Sequence, residues 1–363
     1  MTSSISFWAG KKAYSKIRSS GLSPNDVNVM AGAAGGPKWL VLNQLDRALF
    51  TSWLLPRKSP LFLVGSSIGA WRFATVSHED PPDAIDRFQE AYLEQTYAAN
   101  PTPEDVNAEV VKVLNRLMRP DSMSEILSHP FFRLNILSVR CRGLTGSSER
   151  RLLIPGLILS AMGNALFRKS LGLSFERVLF YDPRDLPPFF DMTGFPIHKV
   201  PLDAGNLKPA LMASGSIPLI MPGVTEIPGA PAGVYRDGGV IDYHLNIPFM
   251  NPDDRIVLFP HYTERIVPGW LDKQIPWRKP EYSHMDNVLL IAPTRSFLDR
   301  LPNGKIPDRT DFREFFGRDK ERVAYWRKVV DAGRELADGF IDAVETGSIR
   351  ERVKPIAELT ARR

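Results

Sequence analysis

The chain has 363 residues, 43% of them apolar, a net charge of +5 and a single cysteine. That length and apolar content support a sizeable core and exclude disorder as the dominant state, while the lone Cys141 excludes an intramolecular disulfide framework. The modest basic balance favours loose attraction to anionic surfaces and identifies neither nucleic acid nor membrane.

The N-terminal stretch MTSSISFWAGKKAYSKIRSSG has no apolar h-region and no small-residue cleavage site, so a cytoplasmic location is expected. Apolar runs at 27–31, 61–64, 134–141, 178–181, 199–202, 256–259 and 288–291 predict strands, and helical spacing at 39–50, 82–95 and 103–118 fills gaps between them. Strands alternating with helices predict an α/β fold: a mainly parallel central sheet flanked by helices on both faces.

The long apolar segment 152–167 (LLIPGLILSAMGNALF) is too short for the ~20 residues that span a bilayer. A buried core helix is expected there, with a lid or interfacial helix as the alternative. Residues 263–284, with Pro268, Pro276, Pro280, Trp270 and Trp277, read as a long irregular loop, either a lid or binding element or a packed surface excursion. Aromatic and charged residues mingle over 308–345, predicting helices packed back onto the domain and broken near Gly317 or Gly333. No repeat, low-complexity tract or linker interrupts the sequence, so residues 1–363 are expected to form one domain.

Three motifs bear on chemistry. In LFLVGSSIGA, Gly65, Ser67 and Gly69 fit G-x-S-x-G after a buried-strand pattern. The two glycines permit a tight strand-to-helix turn that exposes the Ser67 hydroxyl, although a structural turn with an incidental serine has the same pattern. In AGAAGGPKW, small residues between a strand and a helix can turn backbone N–H groups toward an anion, as an oxyanion hole requires; neither the P-loop nor the G-x-G-x-x-G spacing is present. In YRDGGVID, Asp237 precedes Gly238-Gly239 and places a carboxylate on a turn.

In this order the three motifs resemble the patatin-like phospholipase family, which joins a D-G-G-G-x-R/K-type loop to G-x-S-x-G and a later D-G-G/A. Ala34-Gly35-Gly36-Pro37-Lys38 stands in place of G-G-G-x-R/K, and Ala213-Ser214-Gly215-Ser216-Ile217-Pro218 is similar to the family's A-S-x-x-x-P segment. The resemblance covers about residues 25–250 and leaves 251–363 as a C-terminal extension. It implies a patatin-like three-layer sandwich and a Ser-Asp dyad without histidine, with Ser67 as nucleophile and Asp237 as general base. Gly35, Gly36 and Ile68 would supply oxyanion amides, with Lys38, Gly65, Gly69 and Gly238 in support. The chain departs from the family's pattern at Ala33, Ala34 and Trp39.

The resemblance further implies a lipid or acyl-ester substrate, no cofactor and no metal, with peripheral membrane contact and no nucleic-acid partner. Two rivals remain open. His244, His261 or His284 could complete a Ser-Asp-His order, though each of the six histidines, His78, His129 and His198 included, can equally be structural. The same fold could also bind lipid without turnover.

Overall fold

Sequence from both ends of the chain joins one sheet in the computed structural model, which describes residues 3–55, 57–252 and 254–361. The first two residues of the N-terminal stretch read above, and the last two of the chain, lie outside the described residues. The strands are β1 (Ile5–Ala9), β2 (Val27–Gly32), β3 (Leu61–Ser66), β4 (Phe132–Cys141), β5 (Phe175–Tyr181), β6 (Ile197–Pro201), β7 (Val234–Asp237), β8 (Ile256–Pro260), β9 (Val288–Pro293) and β10 (Val353–Pro355).

The sheet order is β10-β1-β9-β8-β2-β3-β4-β5-β6, with β7 paired to β4 off this path. The block β9-β8-β2-β3-β4 is parallel throughout. β5 and β1 run antiparallel to its two outer strands, and β6 and β10 then run parallel to β5 and β1. Every residue of β8 and β9 is buried, as strands covered on both faces must be. This is the expected α/β fold with a mainly parallel central sheet flanked by helices.

Each segment expected to be a strand is one. β1, β7 and β10 were not expected, because all three are short and each carries a polar residue. β10 ends in Pro355, which an edge strand tolerates because the missing N–H faces no partner.

One detail of register positions the site. β4 is ten residues long, and β3 accompanies it only as far as Ser66 opposite Leu137. β7 takes over the vacated edge in the opposite direction, from Val234 opposite Cys141 to Asp237 opposite Ser138. The C-terminal ends of β3 and β7 therefore meet head to head on the same flank of β4.

The region expected as one helix over 39–50 is a 3₁₀ segment (Gly36–Leu42), an α-helical stretch (Asn43–Ala48) and a π-helical turn (Leu49–Trp53). Residues 308–345 form helices at Thr310–Glu314, Asp319–Ala332 and Arg334–Glu345, with Gly317 and Gly333 at the breaks. The expectation of a buried core helix at 152–167 fails. Helix Arg150–Leu166 buries Leu153, Gly156, Leu157, Ser160 and Asn164, but leaves Ile158, Leu159, Met162 and Leu166 exposed. Its inward face is built of small and polar residues beside two leucines, so its bulky apolar residues turn outward.

Candidate active site

Ser67 stands between β3 and the helix Ile68–Val76 with φ 55° and ψ −129°. A non-glycine residue held there stores roughly 1–3 kcal/mol of strain, which the surrounding packing must offset. The flanking glycines explain how the turn closes. A Cβ on Gly65 would lie 2.3 Å from the Ala70 amide nitrogen, and one on Gly69 would lie 2.0 Å from the Gly32 carbonyl oxygen. The elbow thus packs directly on the end of β2, from which the glycine-rich loop departs.

The Ser67 hydroxyl donates to Asp237 Oδ2 at 2.6 Å, and the other carboxylate oxygen accepts the Gly239 amide at 2.7 Å. The Ser67 amide donates to Ser214 Oγ, which donates in turn to the Leu137 carbonyl. Ser214, from the A-S-x-x-x-P-like segment, therefore ties the elbow to β4 at the point where β3 stops. Ser67 and Asp237 are 4% and 6% exposed. Burial is the largest influence on Asp237 and raises its pKa, while the Ser67 hydrogen bond and the Arg309 charge pull it back down.

The amides of Gly35, Gly36 and Ile68 have no hydrogen-bond acceptor among the described residues, and all three residues line the cavities at Ser67. The Ala34 amide is already engaged with the Tyr243 carbonyl at 2.9 Å, so the departure from glycine at this position removes no free donor. Lys38 lies 5.1 Å from the centre of the Tyr262 ring, and its pKa is lowered chiefly by burial. Gly238 passes so close to β4 that a Cβ there would lie 2.4 Å from the Leu137 carbonyl oxygen.

Two cavities meet at Ser67, Ile217 and Arg309. One, of about 350 Å³, has mainly apolar walls that include Trp71, Tyr92, Val110, Met221 and Phe312. The other, of about 230 Å³, contains Asp237 together with Lys38, Lys273, Asp308 and Arg309. Lys273 is lowered to about 8, first by burial and then by Lys38 and Arg309.

All six histidines are engaged away from the Ser67–Asp237 pair. Val267 N–H donates to His244 Nδ1 at 3.0 Å, which leaves Nε2–H to donate to the Tyr262 hydroxyl at 2.7 Å; that hydroxyl donates to the Ala34 carbonyl. His244 supports the glycine-rich loop, and burial keeps it neutral. His261 and His284 bond to Thr263 and Asn246, and His78, His129 and His198 bond to Ser122, Phe132 and Glu176. The geometry contains no Ser-Asp-His relay.

Sequence reasoning missed Tyr262, Lys273 and Arg309. They come from the segment with no matched motif, and of the three only Lys273 lies in the irregular loop at 263–284, which was expected to be either a lid or binding element or a packed surface excursion. Among the described residues, no group of three or more His, Cys, Asp or Glu side chains could hold a metal, and no helix is long and apolar enough to cross a membrane.

Fold and site together define an α/β protein in which a strained serine at one strand end is paired with a buried carboxylate at another. No family model and no curated protein matches the chain. Among solved structures the chain is similar to the crystal structure of VipD from Legionella pneumophila, with a TM-score of 0.34 and 10% sequence identity over 85% of this chain and 67% of that one.

Proposed function

We propose that this chain is a serine acyl-ester hydrolase acting on lipids, of the phospholipase A or lysophospholipase type, working through Ser67 and Asp237. The observation that carries this proposal is the 2.6 Å hydrogen bond from the hydroxyl of a strained elbow serine to a buried carboxylate. The motif resemblance to patatin-like phospholipases supports it independently of that distance.

In the mechanism, Asp237 Oδ2 accepts the Ser67 hydroxyl proton as Oγ attacks the ester carbonyl carbon. The free amides of Gly35, Gly36 and Ile68 receive the negative charge that develops on the carbonyl oxygen. Collapse of the tetrahedral intermediate breaks the bond to the leaving alkoxide, which takes the proton back from Asp237. Water then attacks the acyl-serine, giving its proton to the same carboxylate, and the fatty acid leaves as Ser67 is restored. A carboxylate is a weak base for a serine, and the burial that raises Asp237 strengthens it. The apolar cavity takes the acyl chain, and the cavity bearing Lys38, Lys273 and Arg309 takes the polar end of the ester, with an anionic group favoured.

The test is labelling of purified wild-type, Ser67→Ala and Asp237→Asn protein with a fluorophosphonate probe, read by intact mass in the presence of detergent and lipid. One adduct on wild type and none on Ser67→Ala is expected. Folded wild type that stays unlabelled would overturn the enzyme assignment in favour of a protein that holds lipid without turnover.

A further inference from the structure

Helix Arg150–Leu166 carries its amphipathicity reversed. Pro155, Ile158, Leu159, Met162 and Leu166 follow at three- and four-residue spacing along one exposed stripe, with Leu159 61%, Met162 62% and Leu166 91% accessible. Leu144, packed beside Gly156, and Phe167 and Leu173, just past the helix end, extend the apolar surface. No charged residue interrupts the stripe between Arg151 and Arg168.

Cations bound it at both ends. Arg150 and Lys169 are exposed and have no carboxylate partner among the described residues, while Arg151 pairs with exposed Glu149. We infer that this face docks on an anionic phospholipid bilayer, with the helix lying in the interface plane, its apolar stripe among the acyl chains and its terminal cations at the lipid phosphates. The charge pattern selects this occupant. In a twofold pairing of two copies through the stripe, parallel or antiparallel, the cationic ends would face one another.

The helix is also fixed to the candidate active site. The fully buried Asp272 carboxylate accepts from Asn164 Nδ2 at 2.8 Å and Arg168 Nε at 3.0 Å, and pairs with Arg278, whose guanidinium also donates to the Asn164 carbonyl. Trp270 and Lys273, on either side of this anchor, line the cavity that holds Ser67 and Asp237. Docking the stripe therefore sets the catalytic cavity in a defined position relative to the membrane. The docking face stands on its own geometry and does not depend on turnover.

The experiment uses the full chain as Ser67→Ala, so that hydrolysis plays no part. Flotation with phosphatidylcholine vesicles containing about 30 mol % phosphatidylglycerol should recover the protein, and pure phosphatidylcholine should recover roughly tenfold less. Leu159→Asp combined with Leu166→Asp should lower recovery by roughly tenfold, with an unchanged thermal midpoint because both positions are exposed. Cys141 is buried, so a polarity-sensitive fluorophore can be placed on Leu159→Cys, where its emission should rise on vesicle addition; the same dye on Lys112→Cys should not respond. Absence of flotation with the anionic vesicles, or equal flotation of the double variant, would overturn docking. So would a dimer in light scattering that the double variant converts to monomer. Vesicle binding by Ser67→Ala together with folded wild type that no fluorophosphonate labels would overturn the enzyme assignment alone.

Discussion

Ser67 Oγ and Asp237 Oδ2 share a 2.6 Å hydrogen bond across 170 residues of chain. They meet because β3 stops at Leu137 and β7, running the other way, stops at Ser138 on the same edge of β4. The dyad is held by strand register, which gives its removal a distinct signature.

Asp237→Asn should lower kcat by about 10²- to 10⁴-fold, the usual scale of a lost general base. It should not lower stability. A carboxylate whose folded pKa is raised makes the folded state less stable as pH rises through that value, so a neutral amide removes a cost at pH 7. Circular dichroism melts should show an equal or higher midpoint for Asp237→Asn; a fall in midpoint matching the loss of activity would mean that the carboxylate is structural.

In the proposed mechanism Asp237 must be ionised to act, so kcat/KM should rise with pH along an acid limb lying above the ordinary Asp value of 3.8. Lys273 holds that pKa down, so Lys273→Met should move the limb to higher pH while Lys273→Arg should leave it near its place. A pH–rate profile with a soluble short-chain ester measures this directly, and a limb unmoved by Lys273→Met would remove Lys273 from the site's electrostatics.

Asn and Gln variants of a base change chemistry, whereas a methyl group at the elbow changes packing. Gly69→Ala places its Cβ 2.0 Å from the Gly32 carbonyl, a backbone atom that cannot rotate away. A loss of about 3 kcal/mol or more is expected, at the upper end of overpacking costs. Urea denaturation checks it, and a loss below the scale of surface substitutions would show that the turn relaxes.

Arg177 and Asp242 form a buried bidentate pair at 2.7 and 2.8 Å, which fixes the turn following Asp237 to β5. Arg177→Met alone should cost about 3–5 kcal/mol by stranding the carboxylate. Adding Asp242→Leu should recover much of that loss, and a double-mutant cycle by chemical denaturation would read the coupling.

Every His→Ala variant should keep fluorophosphonate labelling at Ser67, since none of the six bonds to Ser67 or Asp237. His244→Ala should lower the thermal midpoint by loosening Tyr262 and the Ala34 carbonyl. Loss of labelling in a His244 variant that remains folded would restore a histidine mechanism.

The sequence by itself determined the alternating α/β layout, because buried strands and amphipathic helices write short-range periods into the chain. It also carried the serine elbow, whose Gly65 answers to Ala70 only a few residues away, and the motif order that marked Asp237, whereas Gly69 answers to the Gly32 carbonyl at the end of β2. Tertiary structure decided the rest. Pairing Ser67 with Asp237 depends on where β3 ends along β4, a register that no local pattern encodes. The cations Lys273 and Arg309 reach the cavity from an irregular loop and from the start of a helical region, neither of which carries a motif that marks them. At 152–167 the local signal misled: an apolar run reads the same whether its bulky face turns toward protein or away from it. Here Gly156, Ser160 and Asn164, beside Leu153 and Leu157, form the packed side, since small and hydrogen-bonding residues let the helix lie close against the Asp272 anchor, and Ile158, Leu159, Met162 and Leu166 are left to face outward.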